Sequence, residues 1–296
     1  MKSGYYVSGQ PPLRWLEGFV DQIDDCFQRT HNQCPTAVGI ESLDGAGISF
    51  SYPNVTYIGA PVDSGQFAVL SALAVNQSVY QKKLSLTLSM GWPRNRLPSL
   101  FFAQLTAIPY YKIERGDLAS DEWRKIADAL RMFKSSVAYI AEHPMAKKSN
   151  VKRAIVELVN KSIGNEKSLH VVFLSGIEAV GENWEGKYGL EAYEAFSEFI
   201  ISLAVDYNVH IVTDWPIVKR NNDRNSVSLA DLVCHESIIE SGAQVITIFR
   251  RSLYQKGGNV KAREMLVLTA YDPKYWRLCA FNVDMCSRSH KIYGWW

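Results

Sequence analysis

Val55-Thr56-Tyr57-Ile58-Gly59-Ala60-Pro61-Val62-Asp63-Ser64-Gly65-Gln66-Phe67-Ala68 is the stretch that decides the fold. Four strand-forming residues run into a turn bounded by Gly59 and Gly65, and an apolar helix follows over residues 67–75. A buried strand giving way directly to a helix opens a strand–helix–strand unit, the building block of parallel sheets. The alternation continues outward. Residues 84–88 form a second strand, 97–108 an apolar helix, and 118–133 a further helix with Ser120 as its cap and Asp121 and Glu122 in the first turn. A helix over 151–161 precedes the apolar strand 170–174, and a helix over 192–206 precedes the strand 209–213. Three late strands, 245–249, 265–269 and 276–283, follow without comparable helices between them. The pattern predicts an α/β fold, a mostly parallel sheet covered by helices on both faces.

Composition narrows the function classes. The chain has 296 residues, 47% hydrophobic and 21% charged, which excludes a disordered, collagen-like or low-complexity protein. Lys plus Arg total 32 against 30 Asp plus Glu, so bulk charge recruits neither nucleic acid nor membrane, and any basic surface is local. No run approaches the ~18 apolar residues of a membrane span and the start lacks a signal-type stretch, so a cytoplasmic chain without membrane contact is expected. Five cysteines, scattered and never in a C-x-x-C pair, read as reduced thiols; neither a disulfide frame nor a metal site is expected.

Ahead of the sheet, residues 12–30 place Leu16, Phe19, Val20, Ile23 and Phe27 on one helical stripe with acidic residues between them. A polar break follows at 30–35, giving an expected division into a linker helix and connecting loop, 1–35, and a main domain, 36–296. The stripe must be buried, either on its own domain or on a neighbour. At the other end, Tyr293-Gly294-Trp295-Trp296 exposes aromatic rings at a solubility cost, so the tail is either tucked into the core or docks elsewhere.

Local wording in this order resembles the RecA-like motor domain of DnaB-type replicative helicases. Thr36-Ala37-Val38-Gly39-Ile40-Glu41-Ser42-Leu43-Asp44 resembles the family's entry phrase, and Gly59 to Ala68 stands where it carries its phosphate loop. Gly116-Asp117-Leu118-Ala119-Ser120-Asp121-Glu122-Trp123 and Glu236-Ser237-Ile238-Ile239-Glu240-Ser241-Gly242-Ala243 resemble two further family phrases. The similarity spans roughly residues 12–292, without the family's separate N-terminal primase-contacting domain. It implies a RecA-like fold, and an interface in which the helix before the motor domain docks on the adjacent subunit.

The chemistry implied by that resemblance is missing. A phosphate loop needs glycine-rich amides, a lysine on the outer phosphates and a hydroxyl on magnesium. Here Ala60 replaces the first glycine, Asp63 adds a negative charge, and Ser64 and Gly65 are followed by Gln66 for the lysine and Phe67 for the hydroxyl. Ser89 stands where the family places the carboxylate that activates water, Ser175 where the Walker B strand is followed by aspartate, and Trp215 in the segment that senses the terminal phosphate. Each such loss costs about a hundred-fold or more in rate. The expectation is a degenerate nucleotide site with no catalytic residue, no metal and no cofactor. The protein would act in DNA replication or its control by contacting itself or a replicative helicase. The alternative is a working helicase or ATPase of unconventional nucleotide chemistry, for which ATP and magnesium would be cofactors. A polar loop containing Lys219, Arg220 and Arg224 is the candidate contact to single-stranded DNA, against the plainer reading of a solvated loop.

Overall fold

The computed structural model describes residues 36–61, 64–91, 96–136, 138–142, 147–162, 169–218, 227–250, 263–273, 277–286, 289 and 291–293. The helical stripe of Leu16, Phe19, Val20, Ile23 and Phe27, the loop residue Asp63, the basic loop of Lys219, Arg220 and Arg224, and the pair Trp295 and Trp296 lie outside the described residues.

Two short strands, β1 (Thr36–Ala37) and β2 (Ser49–Phe50), pair as a small ladder. The main sheet has eight strands. In chain order these are β3 (Asn54–Gly59), β4 (Leu84–Ser89), β5 (Ala138–Glu142), β6 (Leu169–Ser175), β7 (His210–Trp215), β8 (Gln244–Arg250), β9 (Arg263–Asp272) and β10 (Arg277–Cys286). Their order across the sheet is β10-β9-β8-β3-β7-β6-β4-β5. From β5 to β8 all neighbours are parallel, whereas β8–β9 and β9–β10 are antiparallel. Parallel neighbours need a crossover connection, and too few residues separate β9 from β10 to supply one.

Helices cover both faces of the sheet. Beneath one face lies the helix Gln66–Val75, whose residues from Ala68 to Val75 are all buried, together with Leu97, Leu100 and Phe101 of the helix Arg96–Thr106. A helix apolar on every side belongs in the middle of a core. The opposite face is closed by Val151, Ile155 and Leu158 of the helix Lys148–Ser162 and by Phe196, Phe199, Ile200 and Leu203 of the helix Gly189–Tyr207. Strand β4 shows the effect of double coverage: Leu84, Leu86 and Leu88 face the second core, while Ser85, Thr87 and Ser89 on the other face are equally buried.

Two details differ from the sequence reading. Ser120 is the first residue of its helix (Ser120–Lys134) and not the cap; Ala119 caps it, and the Glu122 carboxylate accepts the Ala119 N–H at 2.9 Å. The helix Gln66–Val75 also continues as a π-helical turn, Asn76–Tyr80. Among the described residues no helix is long and apolar enough to cross a membrane.

Candidate functional site

Connections leaving β3 and β4 pass over one face of the sheet, and those leaving β5, β6 and β7 pass over the other. The neighbours β3/β7 and β4/β6 are therefore pairs whose chains diverge, and in open α/β sheets such divergence marks the ligand crevice beyond the carboxyl ends. The register places Gly59 beside Trp215 and Ser89 beside Ser175 at that end. The fold thus gathers Ala60, Ser64, Gly65, Gln66, Phe67, Ser89, Ser175 and Trp215 at the carboxyl ends of the strands.

The turn after β3 is shaped by backbone and packing. Gly65 caps the helix at φ +96, a left-handed conformation, and a Cβ there would meet Met285 Sδ at 3.2 Å and Leu266 Cδ1 at 3.4 Å. Glycine is required without reference to a phosphate. Ala60 is buried, and Ser64 is wholly buried with its N–H donating to the Pro61 carbonyl at 3.1 Å. Its hydroxyl has no hydrogen-bond partner among the described residues, nor has the Gln66 side-chain carbonyl, although Gln66 is only 6% exposed. Phe67 packs against the first core. The hydroxyls of Ser89 and Ser175 are likewise buried and unpartnered among the described residues, while the Met90 N–H donates to the Ser175 carbonyl at 2.8 Å and ties the strand ends together.

On the β7 side the crevice is locked. Asp214 is buried, and its two carboxylate oxygens accept the N–H groups of Gly176 at 3.1 Å and Ile177 at 3.3 Å, gripping the turn after β6. Burial, reinforced by the nearby Glu178 charge, holds its carboxyl well above the usual range despite those bonds. Trp215 is buried too. Its indole N–H donates to the Val233 carbonyl at 2.8 Å, and its ring meets Tyr57 edge-on at 4.7 Å between centroids. Trp215 is a structural wall. The strand expected over 209–213 puts Asp214 at its end without revealing the grip on Gly176; the signal is a lone carboxylate after an apolar strand.

A second polar cluster, at the amino ends of the strands, escapes sequence reading altogether. His210 is wholly buried, with Nδ1 donating to the Ser51 carbonyl at 2.6 Å and Nε2 2.7 Å from the Thr56 hydroxyl. Thr56 also reaches Gln244 Oε1 at 3.0 Å, and Gln244 Nε2 donates to Asp272 at 2.8 Å. While the imidazole is neutral, one threonine proton serves two acceptors. The signal is a polar residue inside each of three apolar strands.

Burial pulls the His210 pKa down to about 4. The unfolded chain therefore binds the extra proton first, and the contribution is intact above the unfolded pKa and lost as pH falls from ~6.5 to ~4. Asp214 acts in the opposite sense, losing stability as pH rises. In an Asp214→Asn background, urea denaturation at pH 6.5 and pH 4 should therefore differ by up to ~3 kcal/mol more than in the same background carrying His210→Gln. Equal differences would mean that the imidazole keeps its second proton when folded.

Comparison with known proteins identifies the family and the fold. Residues 36–270 match the family described as the DnaB-like helicase C terminal domain. Over 218 residues the chain is 24% identical to a probable plasmid replicative DNA helicase of Chlamydia trachomatis, covering 72% of this chain and 46% of that protein. A protein of the same description from Chlamydia muridarum is 22% identical over the same length and coverage. The chain thus spans about half the length of these relatives. Among solved structures, a DnaB-like replicative helicase studied with its primase interactions superposes with a TM-score of 0.77 at 14% identity, over 93% of this chain and 67% of that one. A second solved structure, an isolated ATPase domain, superposes with a TM-score of 0.72 at 14% identity, over 93% and 97%. The parallel sheet with its helix-covered faces is therefore RecA-like, and the chain belongs to the DnaB-like helicase C-terminal domain family.

Proposed function

We propose that this chain is a DnaB-like domain that acts in DNA replication or its control through subunit-type protein contacts and without ATP turnover. One observation carries the reading. At the start of the helix Gln66–Val75, where a magnesium nucleotide needs a cation and a hydroxyl ligand, Gln66 supplies a buried neutral amide and Phe67 a ring packed into the core. Across the crevice, Ser89 and Ser175 offer hydroxyls where a general base and a metal-ordering carboxylate are required. The carboxylate at hand, Asp214, already accepts two backbone N–H groups. The donor set does not fit Mg-ATP.

The names of the relatives support replication as the setting. The amphipathic segment 12–30, with Leu16, Phe19, Val20, Ile23 and Phe27, supplies the contact, to another copy of this chain or to an active replicative helicase. Each of those side chains is worth ~1.5–3 kcal/mol when docked, which makes the stripe sufficient to hold subunits together. Lys219, Arg220 and Arg224 give at most weak, shallowly salt-dependent contact to single-stranded DNA.

Deleting residues 1–30 should leave a folded domain by circular dichroism that has lost self-association, or binding to a helicase, by light scattering. A monodisperse full-length monomer whose truncation merely melts lower would sink the docking role.

A further inference from the structure

The helices Lys148–Ser162 and Gly189–Tyr207 lie side by side over one face of the sheet and precede the neighbouring parallel strands β6 and β7. The Lys148 Nζ sits over the Phe199 ring at 5.2 Å and marks where the two helices meet. Their inward stripes fill the second core. Their outward faces carry opposite charge. The helix Gly189–Tyr207 bears Glu191, Glu194, Glu198 and Asp206, all exposed, and neither lysine nor arginine. Glu194 lies three residues from Glu191 and four from Glu198, so like charges repel along one ridge. Among the described residues none of these carboxylates forms an ion pair. Leu190 and Val205, each 62% exposed, close the two ends of that ridge.

The helix Lys148–Ser162 is the reverse. It bears Lys148, Lys152, Arg153 and Lys161, all exposed, against a single carboxylate, Glu157. Glu157 reaches Arg153 at 4.0 Å, with both side chains more than half in water, and a pair of that kind leaves the helix basic. A face that is acidic on one half and basic on the other is its own complement. A two-fold axis running between the helices, along their length, lays the basic helix of each copy over the acidic helix of the other. A uniformly basic partner would satisfy one helix and be repelled by the other, and a nucleic acid meets the carboxylate ridge with its own negative charge. A second copy satisfies both halves at once. It also brings Leu190 and Val205 against the methylene stems of the opposing lysines.

We propose that this helical face is a two-fold docking surface for a second copy of the chain, held by the charges of Gly189–Tyr207 in each copy against those of Lys148–Ser162 in the other. The contact is separate from the one offered by residues 12–30. Being made of exposed charges, it is lost at ~1 M salt, where the screening length falls to ~3 Å. Association that persists at that salt reports on residues 12–30, and the effect of deleting residues 1–30 is read there.

Light scattering of the full chain at low salt tests the face, beside one variant carrying Glu194→Lys with Glu198→Lys and another carrying Lys152→Glu with Arg153→Glu. The first variant has two basic helices and the second two acidic ones. Each alone should associate about tenfold or more weakly than the parent, and an equimolar mixture of the two should recover the pairing. A chain carrying all four reversals is self-complementary again and should pair by itself. Parent-level association in either reversed chain, or a mixture no tighter than its components, overturns the face and leaves the role of residues 12–30 standing. A parent chain that is monomeric at low salt overturns it as well. Should circular dichroism show a reversed chain unfolded, Glu194→Gln with Glu198→Gln takes its place, and undiminished association in that variant overturns the proposal.

Discussion

Trp215→Ala is expected to lower the unfolding free energy by about 4 kcal/mol, the upper range for truncating a large buried aromatic. The indole is 2% exposed, lies edge-on to Tyr57, and has Phe196 and Tyr193 at 6.4 and 5.6 Å between centroids. Alanine leaves a cavity among those rings and strips the Val233 carbonyl of its donor. Trp215→Phe keeps most of the packing and loses the hydrogen bond, at a cost of about 1–2 kcal/mol. Urea denaturation of the two variants separates these contributions. A Trp215→Ala protein of undiminished stability would mean that this side chain serves a ligand and not the fold.

Gly39→Ala should be nearly as damaging, by ~3 kcal/mol, since left-handed strain and a forced repacking add. Gly39 has φ +92, and a Cβ built there falls inside the Asn76 carboxamide, itself 2% exposed. Asn76 has no room to retreat: it begins the π turn, its Nδ2 reaches the Gly39 carbonyl at 3.4 Å, and its Oδ1 accepts from Gln81. The same segment is gripped from the other side, where the Asp44 carboxylate accepts the N–H groups of Val38 at 2.6 Å and Gly39 at 2.9 Å. Thermal melting of Gly39→Ala beside Gly45→Ala is an internal comparison, because a Cβ at Gly45 meets nothing within 4 Å. Equal losses would contradict the close approach.

That pair of contacts explains why the opening phrase is readable. Thr36 to Asp44 resembles the family because glycine, leucine and aspartate there do structural work: Gly39 permits the approach, Leu43 enters the core and Asp44 staples the turn. Strands β3, β4, β6, β7 and β8 are legible for the same kind of reason, since each is a short apolar or alternating run followed by a turn. Strand β5 is not. It lies at the sheet edge with Tyr139 46% exposed, so burial imposes little pattern on it. The helix Tyr110–Arg115 buries no residue and carries no stripe to detect.

At the crevice, sequence order places Gln66, Phe67, Ser89 and Ser175 at strand ends, because a parallel sheet delivers its loops there. Bonding is out of its reach. Asp214 meets Gly176 across 38 residues and His210 meets Thr56 across 154, and no local period encodes such pairs. Lys219, Arg220 and Arg224 remain a proposal from the sequence.

Phosphate release from ATP with magnesium measures most directly the proposed loss of ATP turnover. The purified chain is assayed alone and with single-stranded DNA, beside Gln66→Ala, while its melting temperature is followed with and without Mg-ATP. Binding at a hundred times Kd would add ~2.7 kcal/mol and raise the melting temperature by several degrees. Release at the blank rate and an unmoved melting temperature are the predicted result. Magnesium-dependent turnover that Gln66→Ala abolishes would contradict it.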